Sequence, residues 1–596
     1  MPVTPTYPGV YIEELTSSVR TITGVSTSVT AFVGYTQHGP VNTPVTLTSF
    51  ADFERRFGGL SQASPLSYSV QQFFLNGGSI AVVVRLAPGA GGATADFGDS
   101  FTVTATEPGT AGDSLRVAVD PAVAEGTFDL RVFDTGGRIR ETYRGVTLDT
   151  IEQAVNATSA VVRVQVAAEP AEPDPSGTVS GAITGEPPDV TGKDFEATVT
   201  ATGGGENKKT IRLYDDAAQK PKSLAELAVL LERKLRTADP GDPGFAAARV
   251  TVVGDRLHIL PGSPDSEITL IGPAASTLKL QDHSAPASTP LSGGADGTPP
   301  QEGDFVGSAA DKSGLYALAD VPDLNLLVIP ELATLGDPVT VMAQANRLCE
   351  DRRAFFIADT PASWTSLDAA RAGLGAFDSV RNDHAALYFP HIRQTDPLTG
   401  QLREFPPSGA IAGIYAATDT ARGVWKAPAG TEAGLTGVRA LTVPLTDPEN
   451  GLINPLGLNA LRSFPVIGPV VWGARTLAGA DATPSQWKYV PVRRLALFLE
   501  ESLYRGTKWV VFEPNDEPLW GQIRLNVGAF LHTLFLQGAF QGTSARAAYF
   551  VKCDKTTTTQ DDVNRGVVNI VVGFAPLKPA EFVVIQIEQI TGQIDV

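Results

Sequence analysis

Several stretches of this chain place reactive side chains close enough in sequence to suggest chemistry. Gly203-Gly-Gly-Glu-Asn-Lys-Lys-Thr210 combines glycines with lysines, as phosphate-binding loops do. A phosphate cradle needs the GxxxxGKS or GxxxxGKT spacing so that consecutive N–H groups converge on one anion, and that spacing is missing. The glycines instead predict a hairpin turn. Of the six histidines, His384 and His391 stand seven apart, but Pro390 between them breaks any helix that could present them together, and there is no HExxH zinc motif. Glu513-Pro-Asn-Asp-Glu-Pro518 gathers three carboxylates that could hold a cation. The same residues suit a turn into a helix, with Asp516 as N-cap and acids near the positive end of the helix dipole. Cys349 and Cys553 lie 204 positions apart, too few and too far for a disulfide framework or a Cys-rich zinc site.

Nucleophilic chemistry fares no better. A serine nucleophile needs a partnered base, and no GxSxG elbow is present. Gly542-Thr-Ser-Ala545 matches three residues of the serine motif of subtilisin-type proteases. Those enzymes run Asp, His, Ser along the chain, and no HGTH-type histidine precedes Ser544; His38-Gly39-Pro40 comes too early. A hydrolase using Ser544 is retained only as an alternative. Asn156-Ala-Thr158 is a glycosylation triplet, which matters only in a secreted chain. No catalytic, metal or cofactor site is expected.

Composition narrows the class. The chain has 596 residues, 42% hydrophobic and 19% charged, enough apolar material for several sizeable cores. The net charge of −19 disfavours a general electrostatic grip on nucleic acid or an anionic membrane. No apolar run approaches the ~20 residues that span a bilayer, and no basic-then-apolar signal opens the chain, so a soluble protein made in a cytoplasm is expected. The charge is uneven: residues 93–305 hold 18 basic and 32 acidic side chains, a net of −14.

The elements divide accordingly. Prolines at 2, 5 and 8 followed by Gly9-Val-Tyr-Ile-Glu-Glu14 predict an extended arm over 1–25. Strands are predicted at Ser28–Tyr35 and Ile80–Val84, with a helix between them from Ser64-Pro65 to Asn76. The alternation continues with a strand at Leu324–Ile329, a helix from Asp337-Pro338 to Arg353, a strand at Ala354–Asp359, a helix over Ser366–Val380 and a strand at Ala385–Phe389. This is the pattern of an α/β layer with a largely parallel sheet. The core domain is expected over 26–92 and 306–480, with the acidic block between as an insertion; a separate small domain over 1–90 is the competing division. Within the insertion, 93–166 and 194–283 each predict a β-rich α+β module, the second with a capped helix from Ser223-Leu-Ala-Glu226 to Arg236. A Pro/Glu/Gly-rich linker is expected between them, over 167–193. In a C-terminal α+β domain over 481–596, helices are expected at Val492–Tyr504 and Pro518–Gln537, and strands at Lys508–Phe512, Ala547–Cys553, Val567–Gly573 and Glu581–Ile590. The final strand is a candidate to leave its own subunit.

The residues also resemble a known family. Pro8-Gly-Val-Tyr-Ile-Glu-Glu14, Val29-Thr-Ala-Phe-Val-Gly34 and Phe73-Phe-Leu-Asn-Gly-Gly78 are similar to the opening of contractile tail sheath proteins, found in phage tails, tailocins and contractile injection systems. Pro407-Ser-Gly-Ala-Ile-Ala-Gly-Ile-Tyr415, Arg422-Gly-Val-Trp-Lys-Ala-Pro428, Val471-Trp-Gly-Ala-Arg-Thr-Leu477, Tyr489-Val-Pro-Val-Arg-Arg494, Trp509-Val-Val-Phe-Glu-Pro-Asn515 and Tyr549-Phe-Val-Lys-Cys-Asp554 extend the likeness. It covers roughly 1–90 and 310–596, and the insertion carries none of it. The resemblance implies a discontinuous α/β domain of subtilisin-like but non-catalytic type, plus the C-terminal α+β domain. It implies stacked six-subunit rings in a helical tube around an inner tube protein, with baseplate and terminator or cap proteins at the ends, and contraction that drives the tube through a target envelope. Neither nucleic acid nor membrane insertion is implied. Assembly would occur in a host cytoplasm, within a phage tail or an injection particle. Gly9, Val10, Tyr11, Ile12, Glu13 and Glu14, together with Glu581, Phe582, Val583, Val584, Ile585 and Ile587, would be exchanged between subunits as strands. Arg493, Arg494, Arg505, Lys508, Arg524, Lys552 and Lys555 are candidates for contacts with the tube or a neighbour. A surface adhesin or carbohydrate-binding protein acting through the insertion is the other alternative.

Overall fold

Short runs of β-branched and aromatic residues with no polar alternation are the mark of strands covered on both faces. The computed structural model, which describes residues 20–201, 204–280 and 282–586, assembles those runs into one eight-stranded sheet. Its strands are β1 (Thr30–Gly34), β2 (Val45–Leu47), β3 (Ala81–Arg85), β4 (Leu326–Val328), β5 (Phe355–Asp359), β6 (Ala385–Phe389), β7 (Leu458–Phe464) and β8 (Gly468–Val471). The spatial order is β2-β3-β1-β4-β5-β6-β7-β8. The inner six run parallel, and the two edge strands are antiparallel to their neighbours.

Helices α1 (Phe50–Phe57), α2 (Pro65–Leu75), α3 (Pro338–Arg352) and α4 (Ser408–Arg422) accompany this sheet. Side chains on one face (Phe32, Val83, Val328, Ile357) bury against Phe73 of α2 and Ile411 and Tyr415 of α4. Their neighbours in the strands (Ala31, Val33, Val82, Phe356) point the other way, against Val341, Met342, Ala345 and Cys349 of α3. The helices start where the sequence says they should. Ser64 Oγ accepts from Ser67 N at 3.1 Å ahead of Pro65, and Asp337 accepts from Val339 N at 3.1 Å ahead of Pro338. α2 and α4 approach closely because Gly409 and Gly413 lack side chains; a Cβ at Gly409 would overlap the Ser69 backbone.

At the carboxyl end of the sheet, the strand order reverses between β1 and β4. Glu331, just past β4, is buried there and accepts from Tyr35 N at 3.0 Å, while Ser64 Oγ donates to Tyr35 O. Gly34 has no room for a Cβ beside that carboxyl. One strand over, buried Asp359 accepts from Ser408 N at 2.9 Å and from the Ser408 hydroxyl, capping α4. Burial pushes both carboxyls up to about 7, against their backbone hydrogen bonds.

Downstream come α5 (Val490–Gly506), α6 (Glu517–Leu536) and an antiparallel pair, β9 (Tyr549–Lys552) and β10 (Val571–Phe574). Leu495 and Leu499 of α5 join Ile22, Leu519, Trp520, Ile523, Val527 and Leu531 in a further core, while Val490 and Leu497 face the central sheet. Asp516 caps α6 by accepting from Leu519 N at 3.1 Å. The strand expected at Lys508–Phe512 is instead a 3₁₀ turn, Lys508–Val510. Trp509 and Val510 pack into the helical core, and the chain reverses at Phe512, whose φ is 71°, to reach α6. Nor does the strand expected from Glu581 form: residues 581–586 join no ladder among the described residues. β10 begins at Val571, four residues later than expected.

The chain divides into two compact units, the one above and a second made of Gln37–Val41 and Ala87–Thr298. The second begins before residue 93 and ends before 305; Phe305 belongs to the core beside α3. Its Gly/Ala-rich ends are paired, not loose, with antiparallel bridges Gly91–Ala295 and Thr94–Ser292. The unit has two cores. One packs Phe101, Val117, Leu130 and Val164 against Ile151 and Val155 of the helix Leu148–Thr158. The other packs Phe195, Ile211, Leu257 and Ile268 against Leu227, Leu231 and Leu235 of the helix Leu224–Ala238. Ser223 Oγ caps that helix through Glu226 N, and Glu226 reaches back to Lys222 N rather than to the cap residue. The stretch 167–193 is not a free linker. Thr178–Val179 is an inner strand of a four-stranded sheet, and Val190 and Ile183 lie in the second core. The Gly-rich run turns a hairpin between Asp194–Thr200 and Glu206–Arg212, with Gly204 at φ 88°.

Two measurements test this packing. In an isolated helix, replacing Gly409 by Ala would stabilise by about 1 kcal/mol. Overlap with Ser69 reverses that sign, and the variant should be less stable by about 1–3 kcal/mol in denaturant unfolding. The raised carboxyls make the folded state hold protons that the unfolded state has released. Their contribution to stability is therefore full below the unfolded value near 4.5 and is lost as pH rises to about 7. Glu331→Gln should gain stability relative to the parent across that window, by up to about 3 kcal/mol, and the gain should vanish at pH 4.

Candidate functional site

In open parallel sheets, ligands bind outside the carboxyl ends of the strands where the order reverses. Here that crevice is occupied by the protein's own groups: the Glu331 carboxyl, the Tyr35 backbone, Ser64 and the close approach at Gly34. Two buried carboxyls with raised pKa are the kind of pair that performs acid–base chemistry. Each is engaged with backbone N–H groups, and their relative exposures of 5% and 1% leave neither facing solvent. They serve the architecture by holding helix starts against the sheet. Sequence reading missed them, although each is an acid directly behind an all-apolar strand, in Leu326-Leu-Val-Ile-Pro-Glu331 and Phe355-Phe-Ile-Ala-Asp359.

The other reactive candidates are also structural. His391 Nε2 meets Thr360 O at 2.8 Å, and His384 lies between Asp383 and Arg493. Among the described residues, no group of three or more His, Cys, Asp or Glu side chains could hold a metal ion. Ser544 is exposed and opens the one-turn helix Ala545–Ala548. Both cysteines are buried, and burial pushes their thiols up, the reverse of an activated nucleophile. No helix among the described residues is long and apolar enough to cross a membrane.

What stands out instead is unpaired β structure. Among the described residues β9 and β10 form a sheet of two strands, with Phe550 and Val571 half-exposed. Two strands alone are marginal in water. Past Glu581 the tail exposes Phe582, Val583, Val584 and Ile585, at 75%, 81%, 82% and 79%. Four consecutive apolar residues in water are rare on a finished surface. Glu581 is different: its carboxylate is held by Arg475, Tyr489 and Asn454. Gly9, Val10, Tyr11, Ile12, Glu13, Glu14 and Ile587 lie outside the described residues. The chain becomes described at Arg20, stacked on Trp509, and continues along α5 and α6 through Ile22 and Gly24.

The basic candidates divide by burial. Arg493 is buried against Trp487 and shares His384, Asp383 and Glu500. Arg494 is buried, binds both Asp419 oxygens at 2.6 and 2.9 Å and donates to Thr27 O. Of the candidates for contacts with another molecule, these two tie α5 to its own subunit. Desolvated arginines need such fixed partners. Arg505 pairs with Glu501 and Asp323, and Arg524 with Glu517 and the Cys553 carbonyl. Lys508, Lys552 and Lys555 are exposed.

Comparison with known proteins gives a consistent answer. Residues 324–477 match the phage tail sheath protein central domain, and residues 482–590 match the phage tail sheath C-terminal domain. Over 204 residues the chain is 28% identical to the tail sheath protein of Vibrio phage KVP40, covering 34% of this chain and 29% of that protein. Over 191 residues it is 26% identical to the tail sheath protein of Enterobacteria phage T4, covering 31% and 27%. The matched region thus spans less than a third of either phage protein's length. In fold, the chain is similar to the contracted sheath complex of the extracellular contractile injection system PVC, with a TM-score of 0.51 at 20% identity over 99% of both chains. Tail sheath proteins are structural components rather than enzymes. The two sheath domains and the curated relatives together support a contractile tail sheath protein.

Proposed function

We propose that this chain polymerises as stacked six-subunit rings around an inner tube and contracts to drive that tube through a target envelope. The observation that carries the reading is the tail from Phe582 to Ile585: apolar, exposed and unladdered, beside a sheet of two strands with open edges. Strand addition meets both needs at once. Main-chain hydrogen bonds form with little dependence on side-chain detail, and the apolar quartet gains a covered face. Joints of this kind persist while rigid bodies rotate about them, as contraction requires. On this reading residues 9–14 of one copy and 582–587 of another complete the β9–β10 layer of a third, with Glu581 at the point of departure. The eight-stranded body is the subtilisin-like, non-catalytic domain.

Contraction in this scheme draws on free energy stored at assembly, the extended sheath being kinetically trapped. Of the basic candidates, Lys508, Lys552 and Lys555 are exposed and the best placed to meet acids on the tube or a neighbour; Arg505 and Arg524 follow, with part of their donors already engaged. Baseplate and cap proteins would close the cylinder's ends, with assembly in the host cytoplasm. The insertion's net charge of −14 over 93–305 discourages side-by-side association of finished tubes.

Negative-stain microscopy of the purified protein should show rings or helical tubes; a monodisperse monomer under all assembly conditions would sink the proposal. Removing residues 1–19, or 582–596, should leave the thermal unfolding of the body nearly unchanged and abolish tubes. Normal tubes from both truncations would refute strand exchange.

A further inference from the structure

The last part of the chain is fastened at two points before it becomes exposed. At the first, Phe540 bridges to Pro576, Gln541 N donates to Ala575 O and Ala575 N to Ala548 O, each at 2.8 Å, which holds the chain to the α6 and β9 region. At the second, Arg475 grips Glu581 side-on, with Nε to Oε1 at 2.6 Å and Nη2 to Oε2 at 2.8 Å. Tyr489 OH and Asn454 Nδ2 each add a bond at 3.1 Å, so four donors converge on one carboxylate. Burial would raise the Glu581 carboxyl, but the arginine beside it holds it below the usual range. Between the two points, Leu577, Lys578, Pro579 and Ala580 pass over a cavity of about 740 Å³ lined by Trp425, Trp472 and Ala474. The strap therefore leans on its ends more than on what lies beneath it.

The second fastening is built into the central sheet. Arg475 follows β8 and is 1% exposed; Asn454 precedes β7. The Arg475 backbone N–H donates to Asn459 Oδ1 on β7 at 2.7 Å, and Nη1 reaches Asn454 O and Asp481 at 3.0 Å. Nη1 is thus held before Glu581 arrives, and Nε and Nη2 are left to meet its carboxylate side-on, the geometry that makes a bidentate arginine contact strong and directional.

We propose that Glu581, clamped by Arg475, is the positioning residue for the exported strand: it sets where residues 582 onward leave the subunit and passes their load into β7 and β8. This rests on the strand-exchange reading above. Without the clamp, the free tether would start at 577 rather than 582, an added reach of roughly 17 Å for five extended residues. A neighbour joined through so long a tether is not held in register.

The test uses the full chain with Glu581→Ala and Glu581→Gln, and Glu581→Asp as the conservative variant. Asp481 and the Asn454 carbonyl stay on Arg475, so the guanidinium is not left alone and both variants should fold, as a thermal melt would confirm. Spin labels at Lys578→Cys and Val466→Cys report the strap's distance from the β7–β8 turn in the monomer; both native cysteines are buried. Loss of the clamp should broaden that distance distribution. The polymer fraction in sedimentation should fall by roughly tenfold or more, as for a lost charge-assisted bidentate contact, and Glu581→Asp should recover part of both effects. An unchanged distribution in Glu581→Ala, or tubes of normal yield and order from it, overturns the inference. Truncation at 582 separates the two ideas. If it abolishes tubes while Glu581→Ala assembles normally, only the clamp is wrong; if truncated chains assemble, exchange of this strand is wrong.

Discussion

A parallel sheet has to be covered on both faces, and most of this subunit follows from meeting that requirement. α2 and α4 cover one face and α3 the other, and the strands between them carry almost no polar side chains. Covering the sheet brings helix starts over the strand ends, where backbone N–H groups need acceptors. Asp359 supplies one at Ser408 N, and Glu331 takes up Tyr35 N just past β1, at the cost of burying carboxyls. The place where α/β proteins usually admit a ligand is thereby used for holding the body together.

The same requirement explains what could be read from sequence. Ala81-Val-Val-Val-Arg85 and Phe355-Phe-Ile-Ala-Asp359 are legible because continuous apolar runs bounded by turn residues have few other uses. Helix starts are legible at Ser64-Pro65, Asp337-Pro338 and Asp516-Glu517-Pro518, whereas the helix that opens at Asp447-Pro448 was not read from the same signal. Trp509-Val-Val-Phe512 has the same local appearance as a strand but sits in a short connection between two helices, and tertiary packing took Trp509 and Val510 inward. Residues 167–193 looked like a linker because their prolines and acids conceal two buried apolar residues and a strand of only two residues, too short to leave a pattern. Burial of Arg493 and Arg494 was not legible: adjacent arginines read as surface, and the partners Asp419 and His384 are about 75 and 109 positions away.

The C-terminal region obeys a different rule. It has a good helical core, yet its β layer stops at two strands and its tail carries apolar residues into water. Within one copy this is unfinished structure, a local conflict of the kind expected where function intervenes. The sequence located the tail from its β-branched residues but treated Glu581 as one more strand position. Its distinct role depends on Arg475, 106 positions earlier, which no local pattern could reveal.

The paired Gly/Ala-rich ends of the acidic unit have an evolutionary consequence. Because Gly91 faces Ala295 and Thr94 faces Ser292, some two hundred residues depart and return through one narrow antiparallel neck. To the host chain such an excursion resembles a short hairpin loop, whose closure entropy scarcely depends on what lies beyond the neck. The region can therefore be lengthened, traded or lost as a cassette without rethreading a single strand of the sheet.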